Sequence, residues 1–183
     1  LPLIPWFVLA AGFAVVTAHF ETKFVIGSAA SDYTLTFPQR GLIAGRVIWF
    51  YLGKLLWPAN LIFIYPRWAI DAGAVWQYLF PFATLGALAG LWFTRRRGLL
   101  AAGLFFCGSL FPALGFIDIY PFVYSFVADH FQYLPSLGIF AAVGAGLALA
   151  LARSPVAGRT AAVALLALLA GLSWHQSRMY RDV

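Results

Sequence analysis

Cysteine occurs once in 183 residues, acidic side chains occur six times, and charged residues of either sign make up only 10% of the chain. The lone Cys107 permits no intrachain disulfide and no thiolate metal centre. No two of the six carboxylates, Glu21, Asp32, Asp71, Asp118, Asp129 and Asp182, have the spacing of a metal site. HExxH, Walker, GxSxG and Cys/His patterns are absent, so zinc, nucleotide-binding and hydrolase readings have no support, and no metal or cofactor is expected. A soluble domain is about one quarter charged. So little charge excludes a water-soluble enzyme, a disulfide-built secreted domain and a nucleic-acid binder.

What the chain has in abundance is apolar surface: 63% hydrophobic residues, 18% aromatic residues and a mean hydropathy of +0.87. A membrane span needs roughly 20 apolar residues. Windows 72–94, 98–117, 131–152 and 160–177 meet or approach that length without Lys, Arg, Asp or Glu, and residues 1–20 form a fifth. That first window lacks a starting Met, a basic leader and a small-residue cleavage site, so it is a poor signal peptide. The chain is read as a piece of a longer protein.

Twelve basic residues against six acidic ones would suit a polyanion partner, but most of them sit at span ends. Arg95, Arg96 and Arg97 follow one window, and Arg153 with Arg159 precedes another, which predicts that both loops are cytoplasmic. Residues 57–71, 118–132 and the C-terminal tail then lie outside, as expected for a bacterial inner-membrane protein. Residues 21–40 read as a surface connection rich in turn formers. The run 41–57, ended by Pro58, carries Arg46 and Lys54 among Trp49, Phe50 and Tyr51. Central charges cost about 3 kcal/mol each on insertion scales, so this helix is expected in the outer interface or re-entrant. The fold class expected is therefore all-α: a polytopic transmembrane helix bundle of five spans plus one outer helix. Gly86 with Gly90, and Gly138, Ala142, Gly146 and Ala150, have the spacing of helix-packing seams. Generic Gly and Ala content explains both equally well. The last window is almost pure Ala and Leu and reads as an anchor.

Polar chemistry concentrates on the expected outer side. In residues 118–133, a helix after Pro121 would stack Ser125, Asp129 and Tyr133 at i, i+4 and i+8, with His130 on the next strip. Such a stripe could bind a polar ligand; an aromatic belt in which Asp129 caps or pairs and Tyr124 and Tyr133 sit at headgroup level accounts for the same residues. Arg46, Tyr51, Lys54, Tyr65, Arg67 and Trp68 interleave cations with aromatics. Arginine offers a planar fork and lysine a compact charge to phosphate oxygens, so the set suits a lipid-linked phosphate. Snorkelling to ordinary membrane lipids suits it as well. His19 and His175 end spans and read as interfacial.

The runs 46–58 and 63–68, together with 111–116 and 126–136, resemble bacterial membrane proteins that join a multi-span domain to tetratricopeptide repeats. These look related to the transmembrane and TPR-containing O-mannosyltransferases. The resemblance implies a GT-C type fold, with residues 1–177 as the C-terminal portion of its membrane module and 178–183 as the start of a junction to outer-face repeats. It implies a polyprenyl-phosphate-linked sugar donor, and a protein acceptor reached through those repeats. The donor-binding set would be Arg46, Lys54, Tyr65, Arg67, Tyr124, Asp129, His130 and Tyr133. Where the family has Glu-Arg this chain has Asp129-His130, which replaces a permanent charge by a titratable one. The family's acidic catalytic motif lies upstream of the portion matched here, so this segment is expected to be inactive alone. A non-catalytic anchor presenting repeats, or a lipid-handling transporter module, is the competing function.

Overall fold

The computed structural model describes residues 3–20, 35–62 and 64–178. The turn-rich run 21–34, and with it Glu21 and Asp32, as well as the junction residues 179–183, lie outside the described residues. Six α-helices and four short 3-10 turns make up the described chain, without strands: α1 (Ile4–Phe20), α2 (Phe37–Leu56), α3 (Leu79–Phe93), α4 (Arg97–Ser109), α5 (Tyr133–Arg153) and α6 (Pro155–Arg178). The expected all-α class holds, and the helices fall on the five apolar windows plus the run that contains Arg46 and Lys54. Two helical stretches are long and apolar enough to cross a membrane, Asp129–Arg153 and Pro155–Arg178. Windows 72–94 and 98–117 form shorter helices than a full span requires, 15 residues in α3 and 13 in α4. Proline explains both truncations. The stretch ahead of Pro81 tightens into a 3-10 turn, Val75–Tyr78, and Pro112 sits in another, Phe111–Ala113, that ends α4.

Helices α3 to α6 run antiparallel in succession. Gly103 of α4 faces Leu88 and Leu91 of α3, and Gly138 of α5 faces Ala102 and Phe105 of α4. A Cβ on Gly138 would lie 2.8 Å from the Ala102 carbonyl, so only glycine allows that approach. Of the two expected seams, Gly86 and Gly90 meet nothing within 4 Å, and Gly146 likewise faces open space. Small residues at helical spacing permit contact but do not bring a partner.

This antiparallel order gives the bundle two unlike ends. One holds the tight turns at Arg95–Arg97 and Ser154. The other collects the 3-10 turns of residues 110–132, the segment 57–78 and the last turns of α6, where Gln176 Nε2 donates to the Leu61 carbonyl at 2.9 Å.

Helix α2 belongs wholly to that second end. Pro38 suits its first turn, and the Thr36 N–H donates to Gln39 Oε1 at 2.9 Å in a capping box. It stops because Pro58 disfavours helical backbone at Trp57. Ile43, Val47 and Tyr51 recur every four residues and are fully buried. They pack with Phe106, Leu110, Leu114, Phe122, Phe126 and Val127 of α4 and the α4–α5 connection. Gly45 abuts the backbone of Pro81, and Trp49 Nε1 donates to the Phe80 carbonyl at 3.0 Å, both at the start of α3. Arg40 at one end of α2 touches Gly115 and Asp118, while Tyr51, about 16 Å further along the helix, touches Ala128. The helix therefore runs along the α4–α5 connection, against the ends of α3 and α4.

Tyr51 holds this arrangement from inside. Its hydroxyl donates to the Ala128 carbonyl and accepts the Ala128 N–H, each at 2.9 Å. Burial pushes the phenol well above its ordinary range, so it stays neutral and fills both roles. Tyr51→Phe orphans a buried N–H and a buried C=O and is expected to cost about 2 kcal/mol. Thermal unfolding of the detergent-solubilised protein measures this loss; an unchanged midpoint would show the contact to be dispensable.

Candidate functional site

At the polar end of the bundle the structure sorts the expected residues into two neighbouring groups. The first is built on α2 and the extended segment after it. Lys54 Nζ donates to the carbonyls of Ala59 at 2.7 Å and Asn60 at 3.1 Å, and lies 5.2 Å from the Tyr65 ring centre. Asn60 takes φ +52°, a left-handed conformation that asparagine tolerates, which turns the chain back towards Lys54. The buried Tyr65 donates from its hydroxyl to Asp129 Oδ1 at 2.9 Å. Lys54, Tyr65 and Asp129 thus form one connected set, and the positive charge of Lys54 acts on the carboxylate. The charges that act on Asp129 are Lys54 and the exposed His130.

The second group consists of cations over aromatic faces. The Arg46 guanidinium carbon lies 4.4 Å from the Trp68 ring centre, and that of Arg67 lies 5.1 Å from Phe126. Trp68 and Phe126 are themselves neighbours at 6.5 Å, and Phe50 joins the groups through edge contacts with Tyr65 and Trp68. Arg67 is exposed, whereas Arg46 is partly buried. Among the described residues Arg46 has no hydrogen-bond acceptor and no carboxylate. Burial lowers its pKa from the ordinary value, but a guanidinium stays charged at any physiological pH. An arginine stacked on tryptophan still directs its in-plane N–H fork outward, which is a geometry for a phosphate or carboxylate.

The expected stripe of Ser125, Asp129 and Tyr133 does not form. Pro121 starts only a 3-10 turn, Tyr120–Val123, and the backbone is extended again at Ala128 before the turn Asp129–Gln132. Ser125 is buried and bonds the backbone of Val127, while Tyr133 projects outward, 72% exposed. Tyr124 is also exposed and pairs with Tyr120, hydroxyl to hydroxyl at 3.1 Å. The structure thus joins Lys54, Tyr65 and Asp129, places Arg46 and Arg67 beside them, and leaves Tyr124 and Tyr133 outside. Lys54 is also less available than a phosphate-facing role requires, since two carbonyls already hold it.

Three features escape a reading of the sequence. Arg40 and Asp118 form a bidentate ion pair, Nη1 to Oδ1 at 2.8 Å and Nη2 to Oδ2 at 3.0 Å, and Nη1 also donates to the Gly115 carbonyl at 2.7 Å. The partners are 78 residues apart, and no local pattern couples them. Gln77 and Gln132, 5% and 9% exposed, each bury an Oε1 that has no donor among the described residues. A buried acceptor without a donor costs about 1–3 kcal/mol. Glutamine in an apolar window was the available signal.

Comparison with protein-family models, characterised proteins and solved structures finds no match.

If Tyr65 orients Asp129, Tyr65→Phe and Asp129→Asn should be non-additive. A double-mutant cycle on unfolding free energy is expected to give a coupling of about 1–2 kcal/mol. Additive effects would show that the contact contributes nothing.

Proposed function

We propose that the chain is the membrane portion of a glycosyltransferase that takes its sugar from a polyprenyl-phosphate-linked donor at the outer membrane face. The observation that carries this reading is Arg46, partly buried, stacked on Trp68 and without an acceptor among the described residues. A cation withdrawn from water without an anion is costly unless a ligand supplies the charge. A phosphate at the head of a hydrocarbon chain matches a planar cation lined by aromatics at the end of a lipid-exposed bundle. The exposed Leu, Val and Phe around α5 and α6 favour hydrocarbon as their surroundings. The resemblance of the runs 46–58, 63–68, 111–116 and 126–136 to TPR-linked O-mannosyltransferase relatives is what suggests a sugar-bearing donor and the GT-C type architecture.

On this reading an acceptor hydroxyl attacks the anomeric carbon, the bond from that carbon to the phosphate oxygen breaks, and polyprenyl phosphate departs with the negative charge. Arg46 takes up that charge, with the exposed Arg67 nearby. Asp129, held by Tyr65 and balanced by Lys54, orients groups that come beside it. The base that removes the acceptor proton is supplied from outside the residues described, as the resemblance implies. A protein acceptor is presented by repeats attached beyond α6.

Arg46→Gln in the full-length protein is expected to weaken binding of the polyprenyl-phosphate donor about 10- to 150-fold, the range for a lost charge-assisted contact. Lys54→Gln is expected to lower stability more than affinity. Titration with a short-chain polyprenyl phosphate measures the affinities and thermal unfolding the stabilities, and unchanged affinity in Arg46→Gln would remove the residue from the site.

Orientation has its own test. Tyr124 is 54% exposed on the polar end, so Tyr124→Cys in a Cys107→Ala background is expected to react with a membrane-impermeant thiol reagent in intact cells. Labelling only after permeabilisation would put the polar end in the cytoplasm.

A further inference from the structure

The opposite end of the bundle has no part in the site above, yet it too holds open space. A groove of about 770 Å³ runs between α4 and α5, floored by Ala102, Phe105, Ala142, Gly146 and Leu149, with Arg96 and Arg97 at its end. The two helices touch at Gly138 and leave the small residues after it uncovered: nothing comes within 4 Å of a Cβ built on Gly146. Within the small-residue stripe, Gly138 therefore packs against a helix, and Ala142 and Gly146 line open space. The side chains of Arg96 and Arg97 are exposed and have no carboxylate or carbonyl partner among the described residues. The described carboxylates, Asp71, Asp118 and Asp129, all belong to the polar end. Arg95 adds a third positive charge, in a smaller groove with Leu91, Trp92, Arg97 and Leu100 on the neighbouring flank.

We infer that the α4–α5 groove binds one anionic phospholipid, with an acyl chain along Ala142 and Gly146 and its phosphate on Arg96 and Arg97. Charge complementarity selects this occupant. A helix from a second copy would bury the two guanidinium groups against an apolar wall, whereas a lipid brings the anion with the hydrocarbon. The site is separate from the donor site and rests only on the membrane reading.

The test is native mass spectrometry of the chain released from nanodiscs of equimolar phosphatidylglycerol and phosphatidylcholine. Wild type is expected to retain one phosphatidylglycerol in preference. Arg96→Gln with Arg97→Gln should lower that preference about five-fold for each arginine removed, from roughly 1 kcal/mol per basic residue at an anionic surface. Gly146→Leu, which has space for the side chain, should abolish retention of either lipid while leaving the melting temperature unchanged. Equal retention of the two lipids by wild type, or retention that Gly146→Leu does not alter, overturns the site. A dimer that Gly146→Leu dissociates would make a second copy the occupant and overturn it equally. Failure of the chain to enter the discs overturns the membrane reading and the lipid site together, but says nothing against phosphate binding by Arg46.

Discussion

The seat of α2 depends on the ion pair between Arg40 and Asp118. One guanidinium reaches both carboxylate oxygens and the Gly115 carbonyl, so a single side chain fixes the first turns of α2 to the start of the α4–α5 connection. Gly115 can turn there because it adopts φ +86°, and a Cβ would press to 3.0 Å from Ile43. Tyr51 repeats the attachment at Ala128. Between these two points Ile43 and Val47 have no choice of face. Every residue assigned to the candidate site is held by α2 or by something α2 touches: Arg46 and Lys54 directly, Tyr65 and Trp68 through Phe50, and Asp129 through Tyr65.

Charge follows the same geometry. Among the described residues three carboxylates, Asp71, Asp118 and Asp129, and five cations, Arg40, Arg46, Lys54, Arg67 and Arg178, belong to the α2 end, where Arg40 is neutralised by Asp118 and Lys54 faces Asp129. Arg46 and the exposed Arg67 remain as the net positive charge around Trp68 and Phe126. The other end has arginines alone among the described residues. A bundle with mixed charge at one end and arginine at the other is polarised in a way that suits a membrane with a cytoplasmic, anionic-lipid side. The two proposed ligands divide accordingly: a phosphate carried to the α2 end, and a lipid already present at the other.

Much of this architecture was legible in sequence because hydrophobic length and arginine position are local signals. The boundaries of α5 follow from counting to within two residues, whereas α6 begins at Pro155, five residues ahead of window 160–177, so Arg159 lies in the helix and not in the connection before it. The separate standing of α2 follows from two charges among its aromatics. Contacts across long separations left no such trace. Nothing near Arg40 announces Asp118, and Gly45 gives no hint that Pro81 will lie against it. The helix expected after Pro121 failed for the opposite reason. Its i, i+4 spacing was real, but Ala128 pairs with Tyr51 through an extended backbone, and that tertiary contact prevails over the local pattern. The resemblance gathered Arg46, Lys54 and Asp129 into one region but could not distinguish Lys54, already bound by two carbonyls, from Arg46, which is not.

The central claim is that α2 lies along one end of the bundle. Phe37 and Leu56 are exposed at its two ends, about 28 Å apart along the helix axis, which is nearly the thickness of a hydrocarbon core. Cysteines placed singly at these positions in a Cys107→Ala background, in sealed proteoliposomes of known orientation, can be labelled with an impermeant reagent from either side. Reaction of both from the same side is the result expected of a helix that runs along the α4–α5 connection. Reaction from opposite sides would mean that α2 crosses the bilayer, and would contradict the account.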